Sequence, residues 1–342
     1  MSGIDLFVVG GGPAGLAAGI AAARAGMRVV VADGERPPID KPCGEGLMPD
    51  SRLLARHLGV KTAQSIGYEF RGIRFHGAGR SVAADFSGGP GLGLRRTDLH
   101  EGLLQAAARA GVEFRWATPV SSFERIQARW IVGADGSSSL IRRWAGLDAV
   151  VRSSRRYAYR QHFAIAPWTD YMEIYWGDGC QIYVTPVDKH EVCVALVSRR
   201  PELRLTEALE RYFPALRERL PAGAASSRER GAVTGNVTLR KVARGNVALI
   251  GDASGSVDAI AGEGICLSFR QAEILAKAMV KGDLSSYNRQ HARLGLRPHL
   301  MANTMLQLDR GQLVRNCAMS VLSAQPWIFR KLLDVHSQVH AA

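Results

Sequence analysis

Apolar residues gather at the front of the chain in a run, Ile4–Asp5–Leu6–Phe7–Val8–Val9, that breaks off at Gly10–Gly11–Gly12–Pro13–Ala14–Gly15. An Ala-rich stretch of helical character continues to Arg24–Ala25–Gly26, where Gly26 supplies a stop. Arg28–Val29–Val30–Val31–Ala32–Asp33 predicts a second strand. An apolar run ending in a glycine turn recurs twice. Trp130–Ile131–Val132 leads into Gly133–Ala134–Asp135–Gly136 and a helix start near Arg142. Val247–Ala248–Leu249–Ile250 leads into Gly251–Asp252 and, past a loop of small residues, Gly262–Glu263–Gly264–Ile265 at the head of a helix. The middle of the chain reads differently. Tyr171–Trp176 and Gln181–Pro186 flank a hairpin signal at Gly177–Asp178–Gly179, and His190–Leu196 follows as a third strand. The fold class is therefore α/β: a Rossmann-type domain with a parallel sheet, an antiparallel-sheet region, and C-terminal helices.

The first turn carries specific chemistry. Gly10 permits the tight turn, Gly12 lets backbone approach a pyrophosphate, and Gly15 lets the helix close on the strand. Free N–H groups at the helix start, around Pro13 and Ala14, then meet the pyrophosphate at the positive end of the helix dipole. Asp33, 23 positions after Gly10, ends the second strand where a carboxylate can accept from ribose hydroxyls. The run of glycines alone is weak evidence. Set within strand, turn, helix, strand and acid, it predicts a dinucleotide but does not separate FAD from NAD. Gly88–Gly89–Pro90–Gly91–Leu92–Gly93 lacks a following apolar helix and is expected to be a loop, so no separate NADPH domain is predicted.

The later segments narrow the choice. Gly133 to Arg142 resembles the acid–glycine turn of the superfamily that joins geranylgeranyl reductases and FAD-dependent aromatic monooxygenases; in isolation it also reads as a surface turn capped by Asp135. Gly251 to Ile265 is similar to that superfamily's second FAD element, with Ala259 where proline is usual, a change expected to loosen the loop. Arg96 to Leu103 is similar to its Arg-x-x-Leu helix, with Arg95 as a competing arginine. The resemblance implies FAD, with Gly10, Gly12, Pro13, Ala14, Gly15, Asp33, Arg96, Asp135, Gly136, Gly251, Asp252, Gly262, Glu263, Gly264 and Ile265 as cofactor-binding residues. It places Asp135 and Asp252 along the ribityl and pyrophosphate groups and the Gly262–Glu263–Gly264 backbone opposite the isoalloxazine. Helix-start N–H groups there stabilise negative charge on the reduced ring.

Lys41–Pro42–Cys43–Gly44–Glu45–Gly46–Leu47–Met48–Pro49 resembles the geranylgeranyl-reductase segment that lies against the flavin near the substrate. Glycines beside Cys43 and Glu45 permit close approach to a flat ring, which makes these two the candidate catalytic residues. The plainer reading is a turn whose cysteine is a small hydrophobe. Tyr175, Trp176 and Tyr183 are candidate pocket walls, although aromatics in strands commonly serve the core. Gln181 stands where the reductases carry Pro–Gly, which weakens transfer of their substrate.

Composition sets limits on partners and location. The five cysteines (Cys43, Cys180, Cys193, Cys266 and Cys317) show no CxxC spacing, so neither a metal site nor a disulfide framework is expected. A reducing, cytoplasmic setting fits. The net charge of +13 comes from isolated arginines without aromatic interleaving, which argues against nucleic acid. From Arg289 onward there are seven Lys/Arg against Asp309 and Asp334, with Trp327–Ile328–Phe329 among them. Packed terminal helices are the expectation, and peripheral contact with a membrane the alternative.

These readings assign residues 1–70, 95–147 and 240–290 to a discontinuous FAD-binding domain, 71–94 and 148–239 to a substrate domain, and 291–342 to C-terminal helices. The expected activity is reduction of double bonds in a hydrophobic, polyprenyl or lipid-like small molecule. The alternative is a monooxygenase that hydroxylates an aromatic or polyketide substrate with NAD(P)H and dioxygen. Electrons are expected from transiently bound NAD(P)H or from a partner reductase.

Overall fold

The computed structural model describes residues 3–61 and 66–337; residues 1–2, 62–65 and 338–342 of the segments above lie outside the described residues. Ile4–Val9 is the centre of a six-stranded sheet, paired in parallel with Val29–Ala32 on one side and Ala128–Gly133 on the other. Glu113–Arg115 extends one flank; Val247–Leu249 and then Ala243–Arg244 extend the other. Leu6, Val8, Val31 and Val132 are fully buried, as expected of parallel strands covered on both faces. The Pro13–Arg24 helix supplies Leu16 and Ile20 to this core, and the Arg96–Arg109 and Gly264–Lys281 helices supply Leu103 and Phe269.

The second sheet has seven strands, in the order Arg230–Thr234, Arg156–Phe163, Glu191–Ser198, Cys180–Asp188, Tyr171–Trp176, Gly72–Gly77 and Arg80–Asp85. Neighbours are antiparallel except Tyr171–Trp176 with Gly72–Gly77, which run parallel. Helices Leu205–Tyr212 and Pro214–Arg219 cover one face through Leu209, Phe213 and Leu216. Helices Ser285–Arg310, Gln312–Ala324 and Pro326–Ser337 cover the other through Ala302, Met319, Leu322 and Phe329. With both faces covered, Cys180–Val187 is buried without a break.

One expectation is corrected. The Gly88–Gly93 run is not loop throughout, because Gly91–Gly93 forms the middle strand of a small sheet between Gly46–Leu47 and Tyr68–Phe70. A Cβ on Gly93 would lie 1.6 Å from the Pro186 carbonyl oxygen, and one on Gly91 would lie 2.5 Å from the Phe70 ring. Glycine serves clearance at these positions, a need that composition does not reveal.

Candidate active site

Three glycine turns converge at the edge of the parallel sheet. Gly10 has φ +111°, and a Cβ there would lie 2.3 Å from the Ala134 carbonyl oxygen; at Gly15 it would lie 1.8 Å from the Gly10 carbonyl oxygen. Gly251, at φ +59°, brings the third turn against the first helix, 2.7 Å from Ala14 Cβ on the same construction. Protein packing therefore dictates these glycines. Gly12 is different. Its φ of −71° and ψ of 179° suit any residue, and a Cβ would meet no atom within 4 Å. The open space before it faces the start of the Pro13–Arg24 helix, whose N–H groups have no side-chain cap. That is the opening a pyrophosphate needs. Asp33 is fixed beside it, accepting from Gly11 N at 2.6 Å and from Glu35 N at 2.8 Å, with a lone pair left on each oxygen for ribose hydroxyls.

The two arginines separate cleanly. Arg95 makes a bidentate pair with Glu191 at 2.6 and 2.7 Å. Arg96 has a buried Nε without a hydrogen-bond partner, so of the two arginines it is the one with a donor left over. Asp252 is exposed along the same cleft, with Arg96 and Lys41 as its nearby cations. Asp135, which the resemblance places along the flavin's ribityl region, also organises its own turn. Its carboxylate accepts from Ser139 Oγ at 2.5 Å, Leu140 N at 2.7 Å and Ile141 N at 3.2 Å, which builds the helix start. Gly136 has φ +80°, and a Cβ built there would lie 3.7 Å from Lys41 Nζ.

Farther along, Gly262 has φ +67°, and neither it nor Gly264 has a protein atom within 4 Å of a built Cβ. Glu263 begins the Gly264–Lys281 helix, while Ile265 packs on the parallel-sheet core. The loop that carries Ala259 has hydrogen bonds of its own. Asp258 accepts from Ile260 N at 3.1 Å and donates its own N–H to Asn236 Oδ1 at 2.9 Å, pinning the turn that proline would otherwise stiffen.

Glu45 is buried and left-handed at φ +58°, a conformation that costs a non-glycine residue about 1 kcal/mol. Its side chain explains why glycine does not replace it. Oε1 accepts from Arg96 N at 3.1 Å, and Oε2 lies 2.6 Å from His162 Nε2. His162 Nδ1 in turn meets Arg160 Nη1 and Ser227 Oγ, each at 3.0 Å, and Arg160 Nη2 reaches Asp40 Oδ1 at 2.5 Å. Cys193 completes a buried trio with Glu45 and His162 whose donor atoms lie within 4.8 Å of one another, and Arg160 supplies the positive charge there. Glu45 thus anchors the start of the Arg96 helix. The sequence reading missed Arg160 and His162. Their signal was one strand face, Arg156, Arg160 and His162, carrying charge where apolar residues belong. The Cys43 sulfur accepts from Glu45 N at 3.4 Å.

An apolar cavity of about 340 Å³ opens between the seven-stranded sheet and the C-terminal helices, walled by Met48, Phe75, Ile174, Met305, Leu322 and Leu333 among others. Gly262 and His336 are also among its lining residues. Of the three aromatic candidates, only Tyr183 lines it. Tyr175 stacks on His76 and Trp176 packs edge-on to Phe75. Cys43 is not among its lining residues.

The comparisons agree with this geometry. The chain is 28% identical to the menaquinone reductase of Mycolicibacterium smegmatis over 332 residues, covering 83% of this chain and 78% of that one. It is 28% identical to the digeranylgeranylglycerophospholipid reductase of Thermoplasma volcanium over 303 residues, covering 78% and 75%. Among solved structures, a flavin-dependent brominase superposes with TM-score 0.79 at 14% identity, covering 98% of this chain and 93% of that one. A geranylgeranyl bacteriochlorophyll reductase-like protein from Thermoplasma acidophilum superposes with TM-score 0.71 at 22% identity, covering 98% and 92%. At such identities these likenesses speak for the fold. The FAD binding domain family matches residues 4–282, so the chain belongs to that family and is an FAD-dependent oxidoreductase.

Proposed function

We propose that this flavoenzyme reduces carbon–carbon double bonds in a hydrophobic, prenyl or lipid-like chain bound in the apolar cavity. The carrying observation is the cavity itself, walled by methionine, leucine, isoleucine and phenylalanine and lined also by Gly262 of the turn expected to face the flavin. A phenolic substrate needs buried polar partners. This wall offers few, because the Tyr183 hydroxyl already donates to the Ile260 carbonyl oxygen at 3.0 Å. Relatives named as reductases of a menaquinone and of a digeranylgeranylglycerophospholipid support the same reading.

When bound, FAD supplies the hydride chemistry of the reaction. The chain's own residues divide the remaining work. Gly12, Asp33 and Arg96 hold the cofactor, Glu45 positions Arg96, and the methionine-rich wall excludes water and aligns the chain. His336, which lines the cavity with its Nδ1 2.8 Å from Glu263 Oε1, is the group that would deliver a proton to the alkene carbon adjacent to the one that receives the hydride. Electrons come from transiently bound NAD(P)H or a partner reductase. The enzyme is cytoplasmic, and exposed Trp327, with Lys331 Nζ 5.2 Å from its ring, marks the last helix as the element that reaches a membrane-borne substrate.

The test is anaerobic. Chemically reduced enzyme given geranylgeraniol without dioxygen should yield a product heavier by two hydrogens. A product that forms only with dioxygen and carries one new oxygen atom would establish the hydroxylase instead.

A further inference from the structure

A second chamber, of mixed polar and apolar lining, borders the same turn. Its volume is about 180 Å³, and its wall includes Asp50, Glu263, Arg270, Arg293, Arg297 and His336. His336 also lines the apolar cavity, and Gly262 and Glu263 are chain neighbours, so a single turn borders both spaces. Two of its basic side chains, an arginine and a histidine, have acid partners within the chamber. Arg270 Nη2 lies 2.9 Å from Asp50 Oδ2, and His336 Nδ1 lies 2.8 Å from Glu263 Oε1. Arg293 and Arg297 do not. They stand four residues apart on the Ser285–Arg310 helix, hence on one face, with no acid partner among the described residues. Arg297 Nη2 is buried and has no hydrogen-bond acceptor. A buried guanidinium N–H without an acceptor is costly. The planar fork it belongs to fits a phosphate or carboxylate.

We propose that this chamber takes the anionic head group, phosphate or carboxylate, of an amphiphile whose apolar chain fills the neighbouring cavity. The inference rests on the proposed reading of that cavity. It makes the enzyme selective for charged prenyl compounds over their neutral alcohols, with Arg293 and Arg297 as the specificity-determining residues. Reaction at the chain's double bonds then occurs at a distance fixed by where the head is held.

The experiment uses the full FAD-loaded protein and follows flavin fluorescence on titration with geranylgeranyl monophosphate, geranylgeraniol or inorganic phosphate. The monophosphate should bind about 10–100-fold more tightly than the alcohol, the range expected of charge-assisted hydrogen bonds. Arg297→Gln and Arg293→Gln should each remove most of that preference while FAD content and affinity for the alcohol stay as in the parent. Equal affinity for monophosphate and alcohol would overturn the proposal, as would a preference that survives in the double variant. NADPH competing with the monophosphate only while both arginines are present would reassign the chamber to the electron donor, and likewise overturn it. Failure of the cavity reading looks different: neither chain compound binds, and Met305→Trp, which fills the cavity, changes nothing. Arg297-dependent binding of inorganic phosphate alone would then mark an anion site for free phosphate and defeat the head-group assignment.

Discussion

Replacing Gly12 by alanine should separate cofactor binding from folding. A methyl at Gly12 meets no protein atom within 4 Å, and the backbone there already has dihedrals that suit alanine. The cost to the apo fold is then the cap preference of the helix, about 1 kcal/mol at most. Gly15→Ala is the contrast, since its methyl would lie 1.8 Å from the Gly10 carbonyl oxygen and must displace backbone. Overpacking of that kind costs about 3 kcal/mol or more. For FAD the order reverses in cause. The Gly12 methyl occupies the space before the helix start and pushes the pyrophosphate off two N–H donors. At about 1.5–3 kcal/mol for each charged hydrogen bond, binding weakens roughly 10²–10⁴-fold. Apo melting curves and FAD titration by flavin fluorescence measure both quantities in the same preparations. Gly12→Ala that binds FAD within threefold of the parent would refute the reasoning, and so would apo Gly12→Ala melting as low as Gly15→Ala.

Two further outcomes concern buried titratable groups. Burial, with His299 nearby, pushes the His291 imidazole down to about 4, where it sits between Gln271 and Ser254 of the Gly251–Ser254 turn. The unfolded chain therefore takes up this proton first. The contribution to stability is complete above about pH 6.5 and is lost as pH falls from there toward 4, by on the order of 3 kcal/mol. Denaturant melts at pH 7 and 4.5 should show His291→Gln losing less than the parent; equal losses would sink the assignment. Glu45→Ala should cost about 1–3 kcal/mol by leaving Arg96 N and His162 Nε2 without their partner, whereas Glu45→Gln and Cys43→Ser retain acceptors and should keep FAD affinity within a small factor. Apo melting and FAD titration of the three variants check this, and a stable Glu45→Ala would remove Glu45 from its anchoring role.

The parallel sheet was legible because three of its strands are mainly apolar runs that lead into glycine, at Val9–Gly10, Val132–Gly133 and Ile250–Gly251. The hairpin at residues 171–186 was legible through its glycine turn. What escaped depends on long-range pairing. His162 meets Glu45 across 117 positions, and no local pattern announces that. Residues such as Leu322 and Leu333 read equally as core or membrane face until the sheet beneath them appears. The Asp135 segment shows the limit of a motif. The match located the turn, and the simpler reading of a capped turn describes the bonds its carboxylate makes within it.

The parallel pairing of Gly72–Gly77 with Tyr171–Trp176 also governs how the chain reaches this state. The Gly72–Asp85 hairpin emerges early, yet its open edge waits nearly a hundred residues for a partner. Ile4–Val9 waits as long for Ala128–Gly133, which itself awaits Val247–Leu249. Such non-local closure is slow and leaves unpaired edges exposed during synthesis. Nascent chains shorter than about 250 residues should therefore occupy chaperones. A cut near residue 120 would sever both sheets at once, so neither fragment would fold until its counterpart was supplied.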